Sequence, residues 1–538
     1  MSNTVDIDFE LETSSVKQEP SVHELGDFLG NGRSAVVYKC RRDGADVARK
    51  IFCGTDLTNL ILTIFYGAPV DYMWSEPAIT TAYHRRKVLK GLLKFWFQDE
   101  ITIADSVTTG THKETNEQYM DTQFIKGRVA ALYNPFSDEK LAEFTHLKYN
   151  IFPQLQKHLM ASGMDGTVWQ AGYGQPCAIP NFLYSDDLEK WIWIDAESGV
   201  PAIVSYNIRK LISYYIPKAL KFGRVMFDSL DCDAFKKYLD NHENEIKTVL
   251  SAGEYSELFE SASGLIAASL EWQGTTRNER SRGYFLFSGK INEEQNTYYA
   301  QHSVLWLLFL IKSFIANDFP KMFKHLISKV GQFCIKLNPF KLLIFCSKSL
   351  LSSSYRIETA HNHVERKIDT WHDKGRLTSD QAATLHDELD DNSARQYLSD
   401  FGVFLLFKPL GYIIRAVMAV LLTVGVVDEA VTGFVIVFIS IILRTTYSLY
   451  RCAEDMFKGK EISWVALVIS PLPMVGTLAH PCQMLHSARR GHSISQFIIY
   501  EILSASATKV PIFGGPESEI EYQLNRLGFK LVKFSERK

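Results

Sequence analysis

Residues 27 to 52, DFLGNGRSAVVYKCRRDGADVARKIF, leave few arrangements other than an antiparallel meander. Short β-branched and aromatic runs end in glycine or Asp-Gly, the pattern of strands closed by tight turns. The reading is a strand ending at Leu29, a glycine turn at Gly30 and Gly32, and a strand through Ala35-Val36-Val37-Tyr38. A polar reversal at Arg42-Asp43-Gly44 then leads to a third strand carrying Val47-Ala48-Arg49-Lys50. Such a hairpin can cover phosphates: glycine lets the backbone come close to an anion, and a lysine on the next strand meets it with a full charge. An ordinary surface hairpin with Lys50 as a solvated end satisfies the same pattern.

These residues resemble the nucleotide-binding lobe of the protein-kinase-like superfamily. Gly30, Gly32 and Val37 match its glycine-rich loop and the valine after it, and Val47-Ala48-Arg49-Lys50 matches the strand ending in the phosphate-pairing lysine. Ala35 stands where the family has a third glycine. The resemblance implies ATP as the ligand, with Gly30, Gly32, Val37, Ala48 and Lys50 around it. It also implies a helix glutamate that holds the lysine. Glu76 is the candidate, at the start of a helix that Ser75 caps and Pro77 opens. A carboxylate on the helix dipole is its alternative role.

Tyr119 to Arg128 reads as a strand running into Gly127 and looks like the hinge between the two lobes, followed by a helix from Asp138 to about Met160. Beyond it, Asn181-Phe182-Leu183-Tyr184 and Trp191-Ile192-Trp193-Ile194 read as two strands of a hairpin that delivers Asp195. An asparagine and an aspartate at the mouth of one hairpin can hold a divalent ion against triphosphate oxygens, because hard oxygen donors suit magnesium. In the resembled family this hairpin carries the metal-binding pair, and the spacing here, 195 − 181 = 14, is close to the usual one. Asn181 and Asp195 are carried over as Mg2+ positions.

The departures matter as much. The family's catalytic aspartate lies five residues before the metal asparagine, where this chain has Pro176, and Gly174 stands at the histidine or tyrosine position. Asp165 comes too early unless the loop is rearranged. Ala196-Glu197-Ser198 replaces the glycine that follows the metal aspartate. Gln170 or Gln175 could orient an acceptor and Glu197 could assist the metal, with loop hydrogen bonding as the glutamines' other role.

A formal net charge of −3, with no basic stripe interleaved with aromatics, gives no reason to expect nucleic acid as a partner. The eight cysteines show no Cys-x-x-Cys and no paired histidine spacing, which argues against a zinc site or disulfide framework and for a reducing cytoplasm. Helical periodicity from Ser205 to about Leu310 completes a helical lobe, with Arg277 to Arg282 as a charged, solvated loop.

The last 140 or so residues are different, holding nearly uncharged apolar runs. Pro409 to Val427 carries one charge, Arg415; Val431 to Leu443 extends toward Tyr450; and Ile462 to Ala479 is interrupted by Pro471 and Pro473. Before them, residues 321 to 351 alternate lysines with phenylalanines and leucines, as a helix lying in a lipid headgroup region does. Lys408 and Arg415 before the first run, and Arg444, Arg451, Lys458 and Lys460 after the second, orient a hairpin with both ends in the cytoplasm. Helices of a soluble core are the alternative.

The expectation is therefore an α+β protein: a two-lobed protein-kinase-like domain followed by an α-helical membrane region. Its parts are an acidic disordered lead-in (1–26), a nucleotide-binding lobe (27–125), a helical lobe (126–315), a basic amphipathic and helical-hairpin linker (316–400), two or three membrane helices (401–500) and a tail (501–538). The implied function is ATP- and Mg2+-dependent phosphotransfer by a domain in the cytoplasm, with Lys50 and Glu76 catalytic. The implied partners are nucleotide, membrane lipid and a protein or lipid acceptor. The rival is a pseudokinase that binds nucleotide as a signalling or scaffold module.

Overall fold

A computed structural model describes residues 26–31, 34–54, 59, 62–63, 66–112, 115–129, 145–173, 178–197, 207–222, 229–313, 339–423, 426–459, 462–472, 479–480, 482–483, 493–507, 521, 523–527 and 530. Gly32, Gln175, Pro176, residues 1–25, the start of the Asp138 helix, the basic stretch up to residue 338 and most of the tail lie outside them. The chain is mixed α+β, with its sheets in the N-terminal part and a mainly helical remainder. It divides into two compact units, whose described residues run up to Ser313 in one and from Pro339 onward in the other.

The first unit opens with β1 (Phe28–Asn31), β2 (Ala35–Arg42) and β3 (Ala45–Phe52). Asp43 and Gly44 both have positive φ, 49° and 82°, the two-residue turn whose twist matches flanking strands. After helix α1 (Glu76–Phe97) come β4 (Ile101–Ile103), β5 (Ser106–Thr111) and β6 (Gln118–Gln123). An antiparallel sheet runs in the order β1-β2-β3-β6-β5. The expected strand from Tyr119 to Arg128 is split: β6 ends at Gln123, and β7 (Arg128–Val129) belongs to a second sheet, β4-β9-β8-β7. There β8 (Phe182–Ser185) and β9 (Lys190–Trp193) form a hairpin, with β9 parallel to β4.

Ser75 is extended and Pro77 sits in the first turn of α1, though the Ser75 side chain makes no capping bond. Burial on several faces then holds the helix: Ile79, Val88, Leu89, Leu92 and Leu93 are all essentially inaccessible, each contributing about 1.5–3 kcal/mol. A π turn (Leu147–Ile151) leads into α2 (Phe152–Ala161), a second (Leu211–Tyr215) into α3 (Ile216–Phe222), and α4 (Cys232–Val249) follows. Helix α5 (Ala252–Gly274) starts at a Ser251–Glu254 capping box and runs antiparallel to α1. The two approach closely at two glycines. A Cβ on Gly91 would lie 3.2 Å from Leu258, and one on Gly264 would lie 2.6 Å from the His84 ring.

Residues 277 to 282 correct the expectation of a solvated loop. They begin α6 (Arg277–Phe287), opened by a Thr276–Glu279 capping box, and Arg280 and Arg282 are buried. Arg280 is held by Asp71 at 3.1 Å and lies 4.0 Å over the Tyr66 ring. A buried carboxylate 209 residues earlier, 280 − 71, makes a charged segment an interior one. Helices α7 (Glu293–Gln301) and α8 (Ser303–Ser313) complete the unit.

The second unit comprises α9 (Pro339–Leu351), α10 (Ser353–Asp373), α11 (Ser379–Asp390), α12 (Arg395–Thr423), α13 (Glu429–Phe457), α14 (Trp464–Ile469) and α15 (Ser493–Ala507). The turn between α10 and α11 is as expected, with Gly375 at φ 68° and a Thr378–Gln381 capping box. Its helices are no separate linker, however. Val364, Ile368 and Trp371 share one core with Leu385, Leu389, Phe401 and the Ile494–Leu503 face of α15. Helix α12 is continuous through Pro409, and Tyr397–Leu422 is long and apolar enough to cross a bilayer, with a mean hydropathy of 1.8 and 19% of that window buried.

Candidate functional site

Strand β3 places Lys50 opposite Val37 on β2 and Met120 on β6, with its side chain buried. Gly30 pairs with Val37 across β1 and β2, and Ala48 lies opposite Thr122, whose hydroxyl donates to the Ala48 carbonyl at 3.3 Å. A Cβ built on Gly30 would meet open space, so packing does not require glycine there.

The β8–β9 hairpin supplies the other side. Phe182 pairs and stacks with Trp193, and the Ile194 amide donates to the Asn181 carbonyl at 2.8 Å, so Asn181 and Asp195 sit together at the open mouth. Trp193 Nε1 donates to the Asp195 carbonyl at 2.8 Å and holds the chain as it leaves the strand. Lys50 Nζ reaches Asp195 Oδ1 at 2.5 Å and Glu197 Oε2 at 2.8 Å. Residues 145 positions apart thus meet, one on β3 and the other two residues beyond the end of β9.

The partner expected for Lys50 on the helix is not Glu76. That residue lies beside Gln118, and Lys50 pairs with Asp195 and Glu197 instead. Glu76 is the first residue of α1, and the part of the helix that faces the hairpin mouth is ten residues on, roughly 15 Å along its axis. There Arg86 points inward. Its Nε and Nη2 grip Glu197 at 2.7 and 2.8 Å, Nη1 donates to the Ala104 carbonyl at 2.9 Å, and Nη2 also donates to the Ile194 carbonyl at 2.8 Å. Arg86 is the residue of this cluster that sequence reasoning misses. It lies on the stripe of Ala82, Leu89 and Leu93, and a charge on an apolar stripe was its signal.

Glu197 is fully buried and committed to two cations, which corrects its expected role beside a metal. Burial works against its charge, yet Arg86 and Lys50 hold its carboxyl far below the usual range. Burial also opposes the Lys50 ammonium, and Asp195 and Glu197 outweigh it, so its pKa lies above the ordinary value. Two cations face two carboxylates. Of the four, Asp195 is the one open to solvent, with 36% of its side chain exposed.

Asn181 Nδ2 donates to Gln170 at its carbonyl (3.0 Å) and its Oε1 (2.8 Å), and Gln170 in turn donates to the Glu197 carbonyl. Gln170 is therefore a brace of the loop. Asn181 and the exposed Asp195 carboxylate thus stand at the same hairpin mouth. Among the described residues no group of three or more His, Cys, Asp or Glu side chains could hold a metal by itself. Asp165, the early carboxylate, is buried and accepts from Tyr214 at 2.8 Å and Lys218 at 2.5 Å. No family model matches this sequence, and no curated protein matches it significantly.

Proposed function

We propose that the first unit is an ATP- and Mg2+-dependent phosphotransferase domain of protein-kinase-like fold, held at a membrane by the helices of the second unit. The observation that carries this reading is the Lys50–Asp195 contact at 2.5 Å, joining the strand behind the glycine turn to the mouth of the Asn/Asp hairpin. In this reading Lys50 meets the phosphates, Gly30 and Gly32 let the backbone cover them, Val37 and Ala48 flank the base, and Asn181 and Asp195 hold the ion. Mg2+ would supply charge neutralisation on the phosphates. The acceptor is a protein or lipid hydroxyl, in keeping with the apolar helix Tyr397–Leu422.

A second reading, a pseudokinase, is favoured by Pro176 at the acceptor-orienting position and by Asp165 being tied to Tyr214 and Lys218. Calorimetry of Mg2+-dependent ATP binding by the full chain, beside Lys50→Ala and Asp195→Ala, tests the shared part. Binding that both variants lose supports a nucleotide site, and transfer to lipid or protein acceptors then separates enzyme from pseudokinase. Absence of binding by the wild type sinks both readings.

A further inference from the structure

We propose that Glu197, clamped by Arg86, is the positioning carboxylate of Lys50, and that Asp195 is the partner Lys50 releases when ligand binds. The inference rests on the reading above that Lys50 meets a nucleotide's phosphates. The lysine is anchored from the loop after β9 and not from a glutamate of α1, which contributes an arginine in its place.

The two carboxylates on Lys50 are not equivalent. Glu197 has no exposed surface and both its oxygens are engaged, one shared between Arg86 and Lys50. Asp195 bonds the same ammonium from a side chain 36% exposed, so an ion or ligand arriving from solvent reaches Asp195 first. A lysine has three N–H donors, and when Asp195 turns to an ion two of them become free for phosphate oxygens while Glu197 keeps the third.

Arg86 gives this arrangement its sign. Glu197 alone would cancel the charge of Lys50 and leave no attraction for an anion. Arg86, bidentate on Glu197, cancels that carboxylate, so Lys50 keeps a net positive charge for the ligand. Its bonds to the carbonyls of Ala104, beyond β4, and Ile194, beyond β9, fix the guanidinium to the strand ends that flank the hairpin mouth. Arg86 and Glu197 are positioning residues, since neither is exposed to touch a ligand.

The test uses the full chain with Glu197→Gln, Glu197→Asp and Asp195→Asn. Labelling of Lys50 by a small amine-reactive reagent, read by mass spectrometry, follows the anchor without any nucleotide. Losing one charge-assisted hydrogen bond is expected to raise labelling in Glu197→Gln by about tenfold or more, with Asp195→Asn changing it less than about threefold. ATP binding is expected to fall in Glu197→Gln, with partial rescue in Glu197→Asp, which keeps the charge. The reverse pattern, with Lys50 exposed by Asp195→Asn and protected in Glu197→Gln, overturns the proposal. If Glu197→Gln does not fold, protection of Lys50 in Asp195→Asn decides the matter alone. A wild type that binds no ATP fails the functional reading, while the labelling pattern still supports or overturns the anchor.

Discussion

Arg86 and Glu197 meet at 2.7 Å, 111 residues apart in sequence and both without exposed side-chain surface. A fork on a carboxylate in the interior stabilises little by itself, but breaking it from one side strands a charge. Arg86→Met leaves Glu197 with Lys50 alone and is expected to destabilise the first unit by about 3–5 kcal/mol. The double variant Arg86→Met, Glu197→Leu should recover part of that loss. Urea unfolding of the four species measures the coupling, and additive single effects would show that the pair is not a unit.

Gly30 and Gly44 are a matched pair for separating fold from ligand. A Cβ at either meets nothing, yet Gly44 has φ +82° and Gly30 has no such strain. Gly44→Ala is expected to destabilise by about 1 kcal/mol through its backbone and to leave ATP affinity unchanged. Gly30→Ala is expected to fold as wild type and to weaken ATP by about tenfold, the loss of one backbone approach worth about 1.4 kcal/mol. Equal calorimetric affinity of Gly30→Ala and wild type would remove Gly30 from the site.

Asp71, in the short turn Asp71–Met73, ties Trp272 to Arg280: Trp272 Nε1 donates to its carboxylate at 2.8 Å and Arg280 pairs with the same oxygen at 3.1 Å. Asp71→Ala strands a buried guanidinium and is expected to lower stability by about 3–5 kcal/mol. Asp71→Asn, which keeps the shape but not the charge, should cost less. Denaturant midpoints check the order of the two.

His158, stacked at 5.1 Å on Trp96, titrates below its ordinary range because burial disfavours the imidazolium and the positive charges of Lys157 and His242 add to this. The unfolded chain takes up this proton near its normal pKa, about 6.5, and the folded chain only at lower pH. Stability is thus complete above that value and declines as pH falls through it. Amide hydrogen exchange of α1 and α2 peptides, corrected for intrinsic rates, should quicken between about pH 7.5 and about pH 5.5. His158→Gln should flatten the change, and an unchanged slope would assign it elsewhere.

Val417 lies near the middle of the apolar run Pro409–Val427, on α12, and is 50% exposed. At a lipid-facing position Val417→Arg would cost about 2.5–3.5 kcal/mol, and the full chain should lose resistance to alkaline extraction from membranes. At the surface of a soluble bundle the same change is nearly neutral. Unchanged fractionation of the variant counts against a spanning helix.

What the sequence disclosed was local. The three strands from Phe28 to Phe52, the Asp43-Gly44 turn and the hairpin ending at Asp195 were legible because strand period and turn chemistry are written in neighbouring residues. The meeting of Lys50 with Asp195 was not legible, since nothing within either segment names the other. Partners created by packing were hidden. Arg280 looked solvated because Asp71 is remote in the chain, and Glu197 looked like a metal ligand because Arg86 is. The α10–α11 hairpin looked like a linker because its core is completed by α15, more than a hundred residues later.

The antiparallel seating of α5 on α1 carries one more consequence. With Gly264 flush against His84 and Gly91 against Leu258, a roll of α1 by a single residue, about 100°, would bring other side chains against Leu258 and Gly264 and break both close fits. The helix that holds Arg86 is a fixed wall, closed from behind along most of its length. A site built against such a wall cannot be switched by swinging that helix in and out. If the proposed site opens and closes, the freedom to do so lies with Asp195, the exposed partner of Lys50, and not with α1.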